Sequence, residues 1–181
     1  MLDKSKIQTK KHAVLCVVFL MLHLVSFSQK PTTEKPVTVY VFLSETCPIC
    51  QSYTLTLKNL YKEYSNKNVR FVGVFPNYYS TQKSIDEFRK TYSIPFELVL
   101  DKKWTLIERF SASITPEAFI ETPDKKIVYA GRIDDSFYSL GKRRTVITST
   151  ELADALKEIT SGKTVTTKKT QAVGCIISRS K

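Results

Sequence analysis

The run VTVYVFL (37–43) passes almost directly into SETCPIC (44–50), and a helical repeat starts there. The run is nearly continuous, β-branched and aromatic, so both of its faces need cover, as in the central strand of a sheet flanked by helices. From Pro48 onward Ile49, Tyr53, Leu57, Leu60 and Tyr64 recur at spacings of four, four, three and four, the stripe of an amphipathic helix. Cys47 and Cys50 therefore sit where a buried strand becomes a helix.

NVRFVGVF (68–75) reads as a second buried strand, giving a strand, helix, strand unit with parallel pairing and a right-handed crossover. STQKSIDEFRKTYS (80–93) predicts a helix with Ile85, Phe88 and Tyr92 inward, capped by Ser80 or Thr81 and stopped before Pro95. FELVLD (96–101) is a short strand, and KKWTLIERF (102–110) a short helix burying Trp104, Ile107 and Phe110. EAFIE (117–121) and KIVYAGR (126–132), joined through Thr122, Pro123 and Asp124, suit an antiparallel hairpin. Residues 133–148 show no period and read as a long loop. STELADALKEITSG (149–162) restores helical spacing through Leu152, Leu156 and Ile159, with Gly162 as its stop. The rest has little to bury and reads as an extended tail.

The N-terminus divides the chain further. Lys4, Lys6, Lys10 and Lys11 precede an apolar run from Ala13 to Val25, followed by Ser26 and Ser28, the grammar of a secretory signal. The organisation read from sequence is a signal peptide at 1–28, a linker at 29–36, one domain at 37–162 and a tail at 163–181. The expected location is periplasmic or otherwise exported, with membrane anchoring the alternative if the leader is retained. Cys16 lies inside the apolar run, which argues against a lipid-anchor junction.

Cleavage would remove both histidines, His12 and His23, and both methionines, Met1 and Met21. A chain without His or Met lacks His-based acid–base chemistry, His-assisted nucleophiles, His-containing zinc sites and Met-rich copper sites. The full chain carries a net charge of +11, but the cations are scattered apart from KRR at 142–144 and paired lysines. No nucleic-acid partner is expected; a basic surface allows peripheral association with anionic lipid or acidic partners.

The pair CPIC admits several uses. A zinc clip needs further ligands, and no second CxxC is present. Haem attachment needs His after the second cysteine, where Gln51 stands. A structural bridge between such close neighbours removes little chain entropy. A redox couple remains the best fit.

A buried strand entering CxxC at a helix start, with Thr115-Pro116 at the head of a later hairpin and a final helix behind it, resembles the thioredoxin superfamily. The nearest likeness is to exported redoxin-type thiol:disulfide oxidoreductases, over residues 37–162. The resemblance implies an α/β thioredoxin-like fold with a central mixed sheet flanked by helices. It also implies a cis peptide before Pro116, with Ile114, Thr115 and Pro116 shaping a substrate groove that faces the cysteines.

Physical chemistry agrees independently. A thiol with pKa ~8.5 is only about 3% ionised at neutral pH, and a helix start lowers that pKa. Cys47 would attack a substrate disulfide and Cys50, more buried, would resolve the mixed disulfide. Pro48 suits a first helical turn. The expected partners are disulfide- or dithiol-containing proteins, and no cofactor or metal is implied.

The sequence departs from the family in places. Thr46 stands where thioredoxins have Trp, Pro48-Ile49 replaces Gly-Pro, and Val41 stands where a buried Asp would relay protons. Glu45 is the nearest carboxylate and the candidate relay, with a solvent-facing role the bland alternative. A peroxiredoxin is the rival enzyme: Ser44 meets its Thr/Ser requirement, Tyr40 fails its Pro requirement, and Arg109 or Arg132 would have to support the thiolate. A copper-delivery factor needs a later His, and a non-enzymatic binding module would keep the two cysteines locked.

Cys175, in AVGCIIS (172–178), is a candidate extra thiol. Fully extended, the chain from Gly162 reaches about 40 Å, against a radius of gyration of about 15 Å for a domain of ~150 residues. Cys175 can therefore reach Cys47, and packing beside Ile176 and Ile177 as an unreactive thiol is the alternative.

Overall fold

Strand β1 (Val37–Phe42) lies in the middle of a five-stranded sheet of order β3-β2-β1-β5-β6. The structure is a computed structural model that describes residues 35–180; the leader reading, and most of the linker reading, fall outside the described residues. β2 (Val69–Phe75) and β3 (Glu97–Leu100) run parallel to β1, β5 (Glu117–Glu121) runs antiparallel to it, and β6 (Ile127–Gly131), antiparallel to β5, again runs in the direction of β1. The sheet is mixed, as the sequence predicts. Helix α1 (Pro48–Tyr64) makes the crossover from β1 to β2, and α2 (Gln82–Tyr92) the one from β2 to β3.

The period of two along β1 sends alternate side chains to opposite layers. Val39 and Val41 join a core with Tyr53 and Leu57 of α1, Ile85 and Phe88 of α2, and Leu152 and Leu156 of α4 (Glu151–Thr160). Phe42 joins a second core with Phe119 and with Ile107 and Phe110 of α3 (Thr105–Phe110). Both faces of β1 are thus covered, which explains its unbroken apolar sequence.

Local signals account for most boundaries. Thr81 caps α2: its hydroxyl accepts from the Ser84 amide at 3.1 Å and the Ser84 hydroxyl accepts from the Thr81 amide at 3.0 Å. α3 begins later than its sequence suggests, because Trp104 takes a left-handed conformation and stays half-buried. Asp101 then accepts from the amides of Leu106 and Ile107 at 2.9 and 3.0 Å. The hairpin turn closes with the Thr122 amide donating to the Lys126 carbonyl at 2.9 Å.

Two expectations need correction. Residues 133–148 are not simply a loop: β7 (Phe137–Ser139) pairs with β8 (Lys142–Arg143) in a small hairpin. This segment is fixed by carboxylates rather than by an apolar period. Asp134 accepts from the Tyr53 hydroxyl at 2.6 Å, and Asp135 accepts from the Thr148 amide at 2.9 Å.

The tail also has more to bury than its composition suggests. Val165, Ala172 and Ile177 are buried. The Ala130 amide donates to the Lys168 carbonyl and the Thr170 amide to the Ala130 carbonyl, each at 2.9 Å, so the tail runs along the exposed edge of β6. It continues into β9 (Cys175–Ile176), which pairs antiparallel with β4 (Ile114–Thr115).

Candidate active site

Cys47 is the N-cap of α1, with φ −83° and ψ 115°, and Pro48 follows where its missing N–H costs no hydrogen bond. One turn on, Cys50 is fully buried beneath it. The Ser44 amide donates to Cys50 Sγ at 3.4 Å, tying Cys50 to the end of β1. The Cys47 amide in turn donates to the Ser44 carbonyl at 3.3 Å.

Thr115 and Pro116 face this pair. Their peptide bond is cis, and the Cys47 thiol lies 3.4 Å from the Thr115 carbonyl oxygen. Cys47, Cys50, Thr115 and Pro116, the four residues singled out in the sequence, meet across the ends of β1, α1 and β4. Cys175 joins them: its thiol donates to Cys47 Sγ at 2.7 Å.

The electrostatics separate the three sulfurs. Cys47 is lowered to about 5, chiefly by the thiol of Cys50, then by that of Cys175 and by the amides of Cys50 and Ile49, against an opposing effect of burial. Burial pushes the Cys50 thiol well up, and the neighbouring Cys47 adds to the rise. Burial and Cys47 push Cys175 up to about 12. One sulfur is thus held as thiolate while two neighbours remain protonated and donate to it. The helix start contributes, as expected from sequence, but the neighbouring thiols contribute more.

Glu45 is placed differently from the relay expectation. Its carboxylate accepts from the hydroxyls of Ser80 and Ser84 at 2.8 and 2.7 Å. It braces the β1–α1 loop against the start of α2, and none of its observed hydrogen bonds reaches a thiol. Beside it, the hydroxyls of Ser44, Thr46 and Tyr79 form a triangle with 3.2 Å sides.

The family model described as AhpC/TSA family matches residues 22–130, more than half of the chain. The chain belongs to the AhpC/TSA family. Among curated relatives it is 27% identical over 82 residues to the thiol-disulfide oxidoreductase ResA of Bacillus subtilis (strain 168), covering 45% of each chain. The chain thus spans less than half the length of that relative. Two solved structures share the fold. A hypothetical protein from Sinorhizobium meliloti 1021 superposes with a TM-score of 0.70 at 23% identity, covering 80% of both chains. An uncharacterized conserved protein from Geobacillus kaustophilus gives 0.70 at 25% identity, covering 80% of this chain and 78% of its own. This AhpC/TSA chain is a thioredoxin-superfamily redoxin, and its mixed sheet flanked by helices is a thioredoxin-like fold.

Two arginines considered for this AhpC/TSA site are engaged elsewhere. Arg109 pairs with Glu121, and Arg132 with Glu151. Neither is among the groups that lower Cys47.

Three contributors escaped the sequence reading. Ser44 acts through its amide, which no side-chain pattern reveals. Asn77, which is buried, accepts from the Ser178 amide at 2.8 Å and anchors the tail. Gly174 lies against Thr115. The short apolar island AVGCII in a polar tail was the one available signal for the last of these.

Proposed function

We propose that this protein is an exported thiol:disulfide oxidoreductase that exchanges disulfides with protein substrates through its CPIC dithiol. The observation that carries this reading is the placement of Cys47: at a helix N-cap, lowered to about 5, and 3.4 Å from the backbone carbonyl before a cis-proline. A thiolate attacks a disulfide sulfur, and its acidity at neutral pH keeps Cys47 in that form.

In this reading Cys47 attacks a substrate disulfide, forming a mixed disulfide and releasing one substrate thiolate. Cys50 loses its proton and attacks the Cys47 sulfur, which forms the Cys47–Cys50 bridge and releases the second substrate thiolate. The substrate gains two electrons and the dithiol loses two. Thr115 and Pro116 shape the groove in which the substrate backbone lies.

Export rests on the signal-like leader, and among the described residues no helix is long and apolar enough to cross a membrane. The peroxidase reading is disfavoured because, among the described residues, no cation is among the groups that lower Cys47, and Arg109 and Arg132 pair with carboxylates.

The test is reduction of a protein disulfide such as that of insulin, coupled to dithiothreitol, with peroxide consumption measured alongside. Turnover that disappears in Cys47→Ser supports the exchange reading. Rapid peroxide consumption at Cys47 without disulfide reduction overturns it.

A further inference from the structure

The residue closest to the Cys47 sulfur from outside the CPIC motif belongs to this chain's own tail. Cys175 Sγ lies 2.7 Å from Cys47 Sγ, a hydrogen-bonding contact between two free thiols, longer than the ~2.05 Å of a covalent S–S bond. The approach is built from backbone. Thr115 pairs with Cys175 and Ile114 with Ile176 in antiparallel register. On one side of the pair, the Ile177 amide donates to the Ser113 carbonyl at 3.0 Å, and Ser178 is held by Asn77 and by the Tyr78 amide at 2.8 and 2.9 Å. On the other side, the tail is fixed to β6 through Lys168 and Thr170. Cys175 is therefore clamped from both directions.

Gly174 shows how close the contact is. A Cβ there would stand 2.1 Å from the Thr115 carbonyl oxygen and 2.6 Å from its carbon, both backbone atoms. Only glycine lets this strand lie where it does. The same contact shields the site: Cys47 is 2% exposed and Cys50 0%, while Cys175 is partly exposed.

We propose that the segment Gly174–Ile177 is a tethered substrate strand: it occupies the groove over Cys47, forms a Cys47–Cys175 disulfide on oxidation, and presents Cys175 as the sulfur that partner thiols attack. The proposal rests on the exchange reading above and names its partner at the site. Starting from a Cys47–Cys50 bridge, Cys175 gives its proton to solvent and attacks the Cys47 sulfur. The Cys47–Cys175 bond forms, the Cys47–Cys50 bond breaks, and Cys50 leaves as a thiolate and takes up a proton. The oxidation state of the protein is unchanged. A partner dithiol then attacks the Cys175 sulfur and Cys47 leaves as thiolate. The partner's second thiol displaces Cys175 from the mixed disulfide, so the partner is oxidised by two electrons and the protein reduced by two. Because Cys50 is sealed from solvent and Cys175 is not, the second bridge gives external thiols their direct access.

The experiment uses the full chain carrying Cys16→Ser, equilibrated in glutathione buffers, quenched in acid, alkylated and mapped by mass spectrometry. In Cys50→Ser the expected product is a Cys47–Cys175 bridge. Adding Gly174→Val is expected to reduce that bridge at least about tenfold at the same buffer ratio, because the strand no longer fits. Glutathione is expected to open the Cys47–Cys175 bridge of Cys50→Ser at least about tenfold faster than the Cys47–Cys50 bridge of Cys175→Ser. Absence of the Cys47–Cys175 bridge, its persistence in Gly174→Val, or equal opening rates overturns the proposal. If Cys175→Ser still forms the Cys47–Cys50 bridge and reduces insulin, the exchange reading survives that failure; if it does neither, both fall.

Discussion

Thr115 pairs across an antiparallel ladder with Cys175, and its carbonyl oxygen also lies 3.4 Å from the Cys47 thiol. One backbone unit thus faces the reactive sulfur and the strand that covers it.

The pH dependence of stability in the reduced protein follows from Cys47. Its folded-state pKa of about 5 lies below the ordinary thiol range, so the thiolate's contribution to stability is full above the unfolded pKa, shrinks steadily as the pH falls below it and is gone once the pH has fallen through 5. Urea midpoints of the reduced protein should rise from pH 5 to pH 7, by on the order of 3 kcal/mol in unfolding free energy relative to Cys47→Ala. Parallel curves for the two proteins would contradict a folded-state thiolate.

Glu45 separates a brace from a proton relay. Glu45→Ala removes the acceptor for Ser80 and Ser84 and should lower stability by about 1 kcal/mol. The rate of insulin reduction should stay within about twofold, since general acid–base groups typically contribute 10²–10⁴-fold. A hundredfold loss of rate with an unchanged melting curve would restore Glu45 as a relay.

The parts of this molecule that were legible in the sequence are those fixed by side-chain periodicity. Val39, Val41 and Phe42 announce a strand covered on both faces, and Ile49 to Tyr64 announce the helix that carries the cysteines. The tail was not legible, because it docks through backbone groups of Lys168 and Thr170 while its lysine side chains stay in water. Edge pairing of this kind leaves no period to read. The hairpin at 137–143 is hidden for a related reason: its neighbours Asp134 and Asp135 are buried by partners distant in sequence, such as Tyr53 and Thr148. Glu45 shows the same limit at the site, where the hydroxyls of Ser80 and Ser84, distant in sequence, hold its carboxylate.

Thr170 holds the tail to the sheet edge. Its hydroxyl accepts from the Arg132 amide at 3.0 Å and contacts the Tyr129 hydroxyl at 3.1 Å, and Tyr129 is fully buried. Thr170→Val keeps the shape and removes these bonds, so it should cost about 1–3 kcal/mol in chemical unfolding. The same variant should expose Cys47 more often, read as faster labelling by a bulky maleimide. Unchanged stability and labelling would show that the Thr170 hydroxyl does not hold the tail and that the backbone bonds of Lys168 and Thr170 to Ala130 suffice.

The order of the groups that hold the Cys47 thiolate gives the last prediction. Cys50 contributes most to lowering its pKa and Cys175 contributes next, each by donating a hydrogen bond to the sulfur. Cys175→Ala should therefore raise the Cys47 pKa from about 5, and Cys50→Ala should raise it further. The reading to take is the ultraviolet absorption of the thiolate during a pH titration, which does not depend on whether a reagent can reach the sulfur. Removing the tail thiol also uncovers Cys47, and hydration of the exposed anion opposes part of the rise, so the Cys175→Ala titration should remain below the ordinary thiol value. At pH 6 the variant should hold a smaller thiolate fraction than the wild type, and its insulin reduction should become steeper with pH between 5 and 8. A titration identical to that of the wild type would mean that Cys175 donates nothing to Cys47, and the amides of Ile49 and Cys50 together with the Cys50 thiol would then account for its acidity.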